Sequence, residues 1–192
     1  AIFYTTSDAG VRVAKQWQGF TLRDVYAVNP IDGKPTLIRK NLKGNISSSY
    51  SGNCLLMYDE RLKQYQSYNA FTQKINKVAA DSQFPLYDEE NDVPDDPNAY
   101  GIAKWMENNQ QLIIYDRYDL WLVDVNGIAV SVKLSNGRNN KVISRFVETN
   151  TERKTLAKNA SILIKGFSEI DKSELVSLLD LGNFSMTLMN QV

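Results

Sequence analysis

Histidine is absent from this sequence of 192 residues. That absence excludes every Ser-His-Asp and Cys-His arrangement and every zinc site that needs an imidazole. It also removes the commonest general base. Cysteine is nearly absent: Cys54 stands alone, so no internal disulfide can form. It lies in SGNCLLMYD, a strand-like run, and reads as a small buried hydrophobe rather than a reactive thiol. No G-x-S-x-G is present, so a nucleophile elbow is missing as well. Net charge is zero, with 22 basic and 22 acidic residues, which gives no electrostatic case for nucleic acid or an anionic membrane. No apolar run approaches the length that spans a bilayer, and AIFYTTSDAG has neither a basic n-region nor a cleavage pattern. No cofactor is expected.

What is present is strand-forming sequence. Hydrophobic residues make up 43%, enough for a globular core. The stretch 112–124, LIIYDRYDLWLVD, reads as two strands joined by the polar turn Asp116-Arg117-Tyr118-Asp119. Both runs are apolar at nearly every position. Each strand should therefore be covered on both faces, which a lone hairpin cannot achieve.

The pattern recurs. An aromatic or apolar strand ending in Asn or Asp, followed by a turn and another strand, occurs at Asn29, Asn69, Asp124 and Asp180, at intervals of 40, 55 and 56 residues. An Asx side chain there can cap the turn. A further strand precedes each marker, at 2–6, 55–59, 112–116 and 162–167. Candidates for an earlier strand lie at 46–50, 100–105 and 143–149. Four-stranded propeller blades repeat every ~40–50 residues, so the two longer intervals need insertions. The acidic run 81–99 and the polar run 148–159 supply them.

The expected fold is all-β: a partial β-propeller of about four antiparallel four-stranded blades, at 1–44, 45–81, 99–138 and 141–192, with an acidic insertion at 82–98. The first blade lacks its innermost strand. A β-sandwich is the alternative, but its strands need not share a marker at fixed phase. Residues 170–181 also have helix propensity; repeat position favours a strand from Glu174 to Leu181. Residues 10–18 alternate ambiguously between the two.

Several residues invite a chemical reading. Asp88, Glu90, Asp92 and Asp95 in the acidic loop could offer oxygens to Ca²⁺, but their spacing is not that of an EF-hand loop, and a solvated, proline-limited insertion is the better reading. Asp116, Arg117 and Asp119 could form a carboxylate pair with an electrostatic partner; a tight hairpin makes a turn ion pair the expectation. Trp105, Tyr115, Tyr118 and Trp121 could stack on a sugar, but propeller aromatics mostly fill the space between blades. Arg138, in the turn NGRNN, could hold a carboxylate, although an exposed loop arginine is the default. Asn45, Asn159 and Asn183 each begin a glycosylation sequon.

Four stretches resemble the N-terminal β-propeller of prolyl oligopeptidase family serine peptidases, in the dipeptidyl-peptidase-like branch. They are PLYDEENDVPDDPNAYGIAKW at 85–105, LIIYDRYDLWLVDVNG at 112–127 with LSNGRNNKVISRF at 134–146, ASILIKGFSEIDKS at 160–173, and, more weakly, VYAVNPIDGKPTLIRKNLKG at 25–44. The resemblance implies a periplasmic or secreted setting. It also implies that catalysis belongs to a separate α/β-hydrolase domain, whose motif this sequence lacks, so no catalytic residue is carried over. The segment would gate and dock in its parent and is itself expected to be no enzyme. Implied partners are the hydrolase domain and a peptide ligand. A free-standing interaction module is the alternative, and its open blade edges would then meet another copy of the chain. An independent hydrolase would have to work with carboxylates alone.

Overall fold

The structure is a computed structural model and describes residues 1–7 and 16–191. The ambiguous segment 10–18 falls mostly outside those residues. Among the described residues, fifteen strands form four antiparallel meanders. Sheet I holds β1 (Ile2–Ser7), β2 (Arg23–Val28) and β3 (Pro35–Leu42). Sheet II holds β4 (Gly44–Ser48), β5 (Cys54–Asp59), β6 (Gln64–Asn69) and β7 (Lys74–Lys77). Sheet III holds β8 (Ile102–Trp105), β9 (Gln111–Tyr115), β10 (Leu120–Asp124) and β11 (Val132–Lys133). Sheet IV holds β12 (Val142–Val147), β13 (Ser161–Ser168), β14 (Glu174–Asp180) and β15 (Ser185–Gln191). Every strand pairs with its chain neighbour inside its own sheet. This is a partial β-propeller with an incomplete first blade.

Strand periodicity explains how the sheets stack. Side chains alternate between the two faces of a strand. In β5, Leu55 and Met57 pack with Val25, Ala27 and Leu42 of sheet I, whereas Cys54, Leu56 and Tyr58 pack with Trp105, Leu112, Ile114 and Trp121 of sheet III. In β9, Leu112 and Ile114 face sheet II, and Ile113 and Tyr115 pack with Ile162, Ile164 and Leu179 of sheet IV. Three apolar layers thus separate four sheets. That is why β5 is buried at every position and β9 at all but the first. In sheet IV, β13 alternates instead, because only one of its faces meets another sheet. Helix propensity lost at 174–180: β14 runs there, in register with β13 from Glu174 to Asp180.

The recurring Asx residues close the turn after the third strand of each four-stranded sheet and after β2 of sheet I. Asn29 Oδ1 accepts the N–H of Ile31 at 3.0 Å, Asn69 Oδ1 that of Phe71 at 2.9 Å, Asp124 Oδ1 that of Asn126 at 2.9 Å, and Asp180 Oδ1 that of Gly182 at 2.7 Å. At the opposite end of the sheets, the preceding turns have their own caps. Asp59 Oδ1 accepts from Arg61 and Leu62, Asp116 Oδ1 from Tyr118 and Asp119, and Ser168 Oγ from Ile170 and Asp171.

Candidate functional site

The densest polar cluster lies at this second end, where the β9–β10 turn meets the acidic insertion. Asp116 and Asp119 are both 0% exposed. A carboxylate stays charged in such a place only when its oxygens are fully partnered. Asp116 Oδ1 takes the N–H groups of Tyr118 and Asp119 at 2.7 and 2.8 Å. Its Oδ2 takes Trp121 Nε1 at 2.9 Å, and Arg138 lies 3.6 Å away. Asp119 accepts from Ser135 Oγ at 2.7 Å and from the N–H groups of Gly137 and Arg138, and pairs with Lys133 at 2.9 Å. The N–H groups of Gly137 and Arg138 come from a single helical turn, Gly137–Asn140. A Cβ at position 137 would overlap the Val142 carbonyl, so glycine lets the turn approach this closely.

The expected turn ion pair is therefore corrected. Arg117 does not neutralise its neighbours Asp116 and Asp119. In a turn this tight the Asp116 carboxylate folds back onto the backbone, and the next side chain points away. Arg117 reaches Glu90 at 2.6 Å and Glu169 at 3.0 Å. The neutralising cations arrive from Lys133 and Arg138. Nor is Arg138 a free loop arginine: it grips Glu89 through both Nη atoms and lies over the Phe84 ring at 4.1 Å. Tyr118 donates its hydroxyl to Glu169 at 2.7 Å. That bond, and then Arg117, hold the Glu169 carboxyl below its ordinary value. Burial and the same bond push the Tyr118 phenol up.

The acidic insertion is a strap rather than a free loop. Asp95 and Asp96 pair with Lys43, whose ammonium also lies 3.7 Å from Glu60. The Tyr58 hydroxyl donates to the Pro97 carbonyl at 3.0 Å, and the Glu89 N–H donates to the Tyr100 hydroxyl at 2.9 Å. With Glu89 on Arg138 and Glu90 on Arg117, the strap is tied to sheet II, to sheet III and to the turn that follows it. The four calcium candidates do not converge. Asp88 caps the Glu90 N–H at 3.0 Å, Glu90 and Asp95 are paired to cations, and among the described residues no three His, Cys, Asp or Glu side chains gather as a ligand set.

The remaining candidates fall where packing puts them. Trp105, Tyr115 and Trp121 are buried in the layers between sheets, and Tyr118 is buried beside the carboxylates. Trp105 Nε1 donates to Ser47 Oγ at 2.9 Å, joining the first strands of sheets II and III. Cys54 is buried; burial, and then the Asp124 charge, push its thiol up to about 12. The sequon residues Asn45, Asn159 and Asn183 are all exposed. Sequence reasoning missed Lys43, Lys133, Glu169 and the pairing of Glu89. Each meets its partner across 14 to 53 residues, and no local pattern signals such a pair.

No family model matches the chain, and no curated protein matches it. Among solved structures, the chain is similar to an oligogalacturonate lyase in complex with manganese, at 6% identity and a TM-score of 0.46, over 90% of this chain and 50% of that one. It is also similar to a chain of a nidogen/laminin complex, at 11% identity and a TM-score of 0.36, over 90% and 74%. The chain thus spans half the length of the lyase. Neither description names a peptidase, and the peptidase resemblance rests on the sequence stretches alone.

Proposed function

We propose that this chain is a non-catalytic propeller segment that docks other protein, in the setting its sequence resembles: the gating and docking part of a prolyl oligopeptidase-like serine peptidase whose chemistry resides in a separate hydrolase domain. The observation that carries the non-catalytic half is the saturation of Asp116 and Asp119, the two most buried carboxylates of the polar cluster. Every oxygen is occupied by backbone, tryptophan, serine or a cation, and neither side chain is exposed to a substrate whose proton it could take. The docking half is supported by the strap. Its Glu89, Glu90, Asp95 and Asp96 side chains are paired to cations at one end of the stacked sheets, and a preorganised surface costs little entropy to bind.

The test has two arms. The purified chain is assayed on chromogenic Xaa-Pro substrates, with no turnover expected. The coding sequence of the parent is read for an α/β-hydrolase domain, and that domain is assayed with and without this segment. Removal of the segment is expected to relax the size limit on substrates. Turnover by the chain itself contradicts the non-catalytic reading, and a parent with no hydrolase domain contradicts the peptidase setting. A free-standing interaction module is the second reading, favoured by the outer faces of sheets I and IV, where, among the described residues, Ile2, Tyr4 and Leu37, and Phe167, Val176 and Leu178, are exposed.

A further inference from the structure

Each sheet ends in an outermost strand whose free side is open among the described residues. An open edge is a template for another strand, and proteins blunt it with lysine, proline, shortness or a bulge. Three of the four edges here are blunted. β3 begins at Pro35 and carries Arg39 and Lys40. β7 is four residues with lysine at each end. β11 is two residues, one of them Lys133. The fourth differs. β15, SMTLMNQ, has seven residues, no charge and no proline, and is exposed at every position. Its single bulge falls late, between the pairs Ser177↔Leu188 and Val176↔Asn190, so 185–188 runs in regular register along β14.

We propose that β15 is a self-association edge, to which the β15 strand of a second copy adds antiparallel, extending sheet IV across a two-fold axis. The occupant follows from the strand's chemistry. Antiparallel pairing of a strand with itself sets like charges against one another wherever charge is present, and this strand has none. With the axis at Thr187, Met186 of each copy lies opposite Leu188 of the other, and Thr187 opposite its counterpart. Met186 and Leu188 share one face, since alternate residues do, and they are 42% and 54% exposed as the chain stands. On that face they border a groove of about 240 Å³, lined also by Val142, Ile164 and Leu175. Pairing therefore shields two uncovered apolar side chains per copy. A two-fold contact also closes on itself, so it yields a dimer rather than a fibre. The inference is independent of the peptidase setting.

Sedimentation of the full 192-residue chain from about 1 μM to about 1 mM, the range of modest affinities, is the test. A monomer–dimer equilibrium is expected. Leu188→Lys and Met186→Lys, at exposed positions whose folding circular dichroism checks, are each expected to raise the dissociation constant at least about tenfold. Leu37→Lys on β3 is expected to leave it unchanged. A monomer at every concentration overturns the proposal. So does a dimer that survives both β15 substitutions, or one that Leu37→Lys dissolves, which would place the contact on the end faces. Binding of a foreign peptide to β15 without self-association overturns the choice of partner. None of these results bears on turnover or on a hydrolase domain, which test the docking reading separately.

Discussion

Arg138 holds Glu89 in a two-point grip, Nη1 to Oε2 at 3.1 Å and Nη2 to Oε1 at 2.8 Å, across 49 residues of sequence. The pair fastens the acidic strap to the turn after sheet III, and each side chain is one-fifth exposed. Planar bidentate pairs exceed ordinary surface ion pairs in strength. Glu89→Ala is expected to cost about 1–2 kcal/mol in denaturant unfolding and to speed amide exchange through 82–98. Unchanged exchange there would show that the strap is held by something else.

Asp116 separates structure from catalysis. Asp116→Ala leaves Trp121 Nε1 and two backbone N–H groups without an acceptor in a buried place. The expected loss is about 3 kcal/mol or more, accompanied by a change in tryptophan fluorescence. Asp116→Asn keeps the Oδ1 acceptor and is expected to cost less than alanine. A catalytic carboxylate held under strain would give the opposite sign, with greater stability on removal.

The recurring turn caps make a graded series. Asn69→Ala removes an acceptor for the Phe71 and Thr72 N–H groups and is expected to cost about 1 kcal/mol, whereas Asn69→Asp is expected to be nearly neutral. Asp124→Ala is expected to cost more, because Asp124 also takes the N–H groups of Ile128 and Ala129. Equal losses at both positions would contradict the count of bonds.

The sheets were legible in the sequence because their signals are local. Apolar residues at every position of 112–115 and 120–123 demanded cover on both faces, and Asn69, Asp124 and Asp180 each cap a turn two residues ahead. The charged cluster was illegible because its pairs are distant. Lys43 meets Asp96 across 53 residues, and Arg138 sits in a turn whose composition suggests exposure. Adjacency in sequence also misled: Arg117 is bonded to Asp116 through the chain, yet its charge serves Glu90 and Glu169.

Acid should loosen the molecule in a definite window. Hydrogen bonds to Ser168 and Ser173 hold the Asp171 carboxyl at about 2, below its ordinary 3.8, and the Tyr118 hydroxyl and Arg117 hold Glu169 below its ordinary 4.5. A carboxyl whose value is depressed by folding contributes stability that is complete above the unfolded value and is lost as pH falls through the folded one. Melting temperature is therefore expected to be level above about pH 5 and to fall from there toward about pH 2. Glu169→Gln is expected to flatten part of that fall. A melting temperature that rises on acidification would reverse the sign and contradict the pairing.

Successive alanine substitution along β9, at Leu112, Ile113 and Ile114, tests the stacking of sheets most directly. Leu112 and Ile114 face sheet II and Ile113 faces sheet IV, so all three substitutions are expected to cost about 2–5 kcal/mol. Val176→Ala, on the uncovered face of sheet IV, is expected to stay within about 0.5 kcal/mol. A loss that alternates along β9, large at Leu112 and Ile114 and negligible at Ile113, would mean a sheet covered on one side only and would contradict the account.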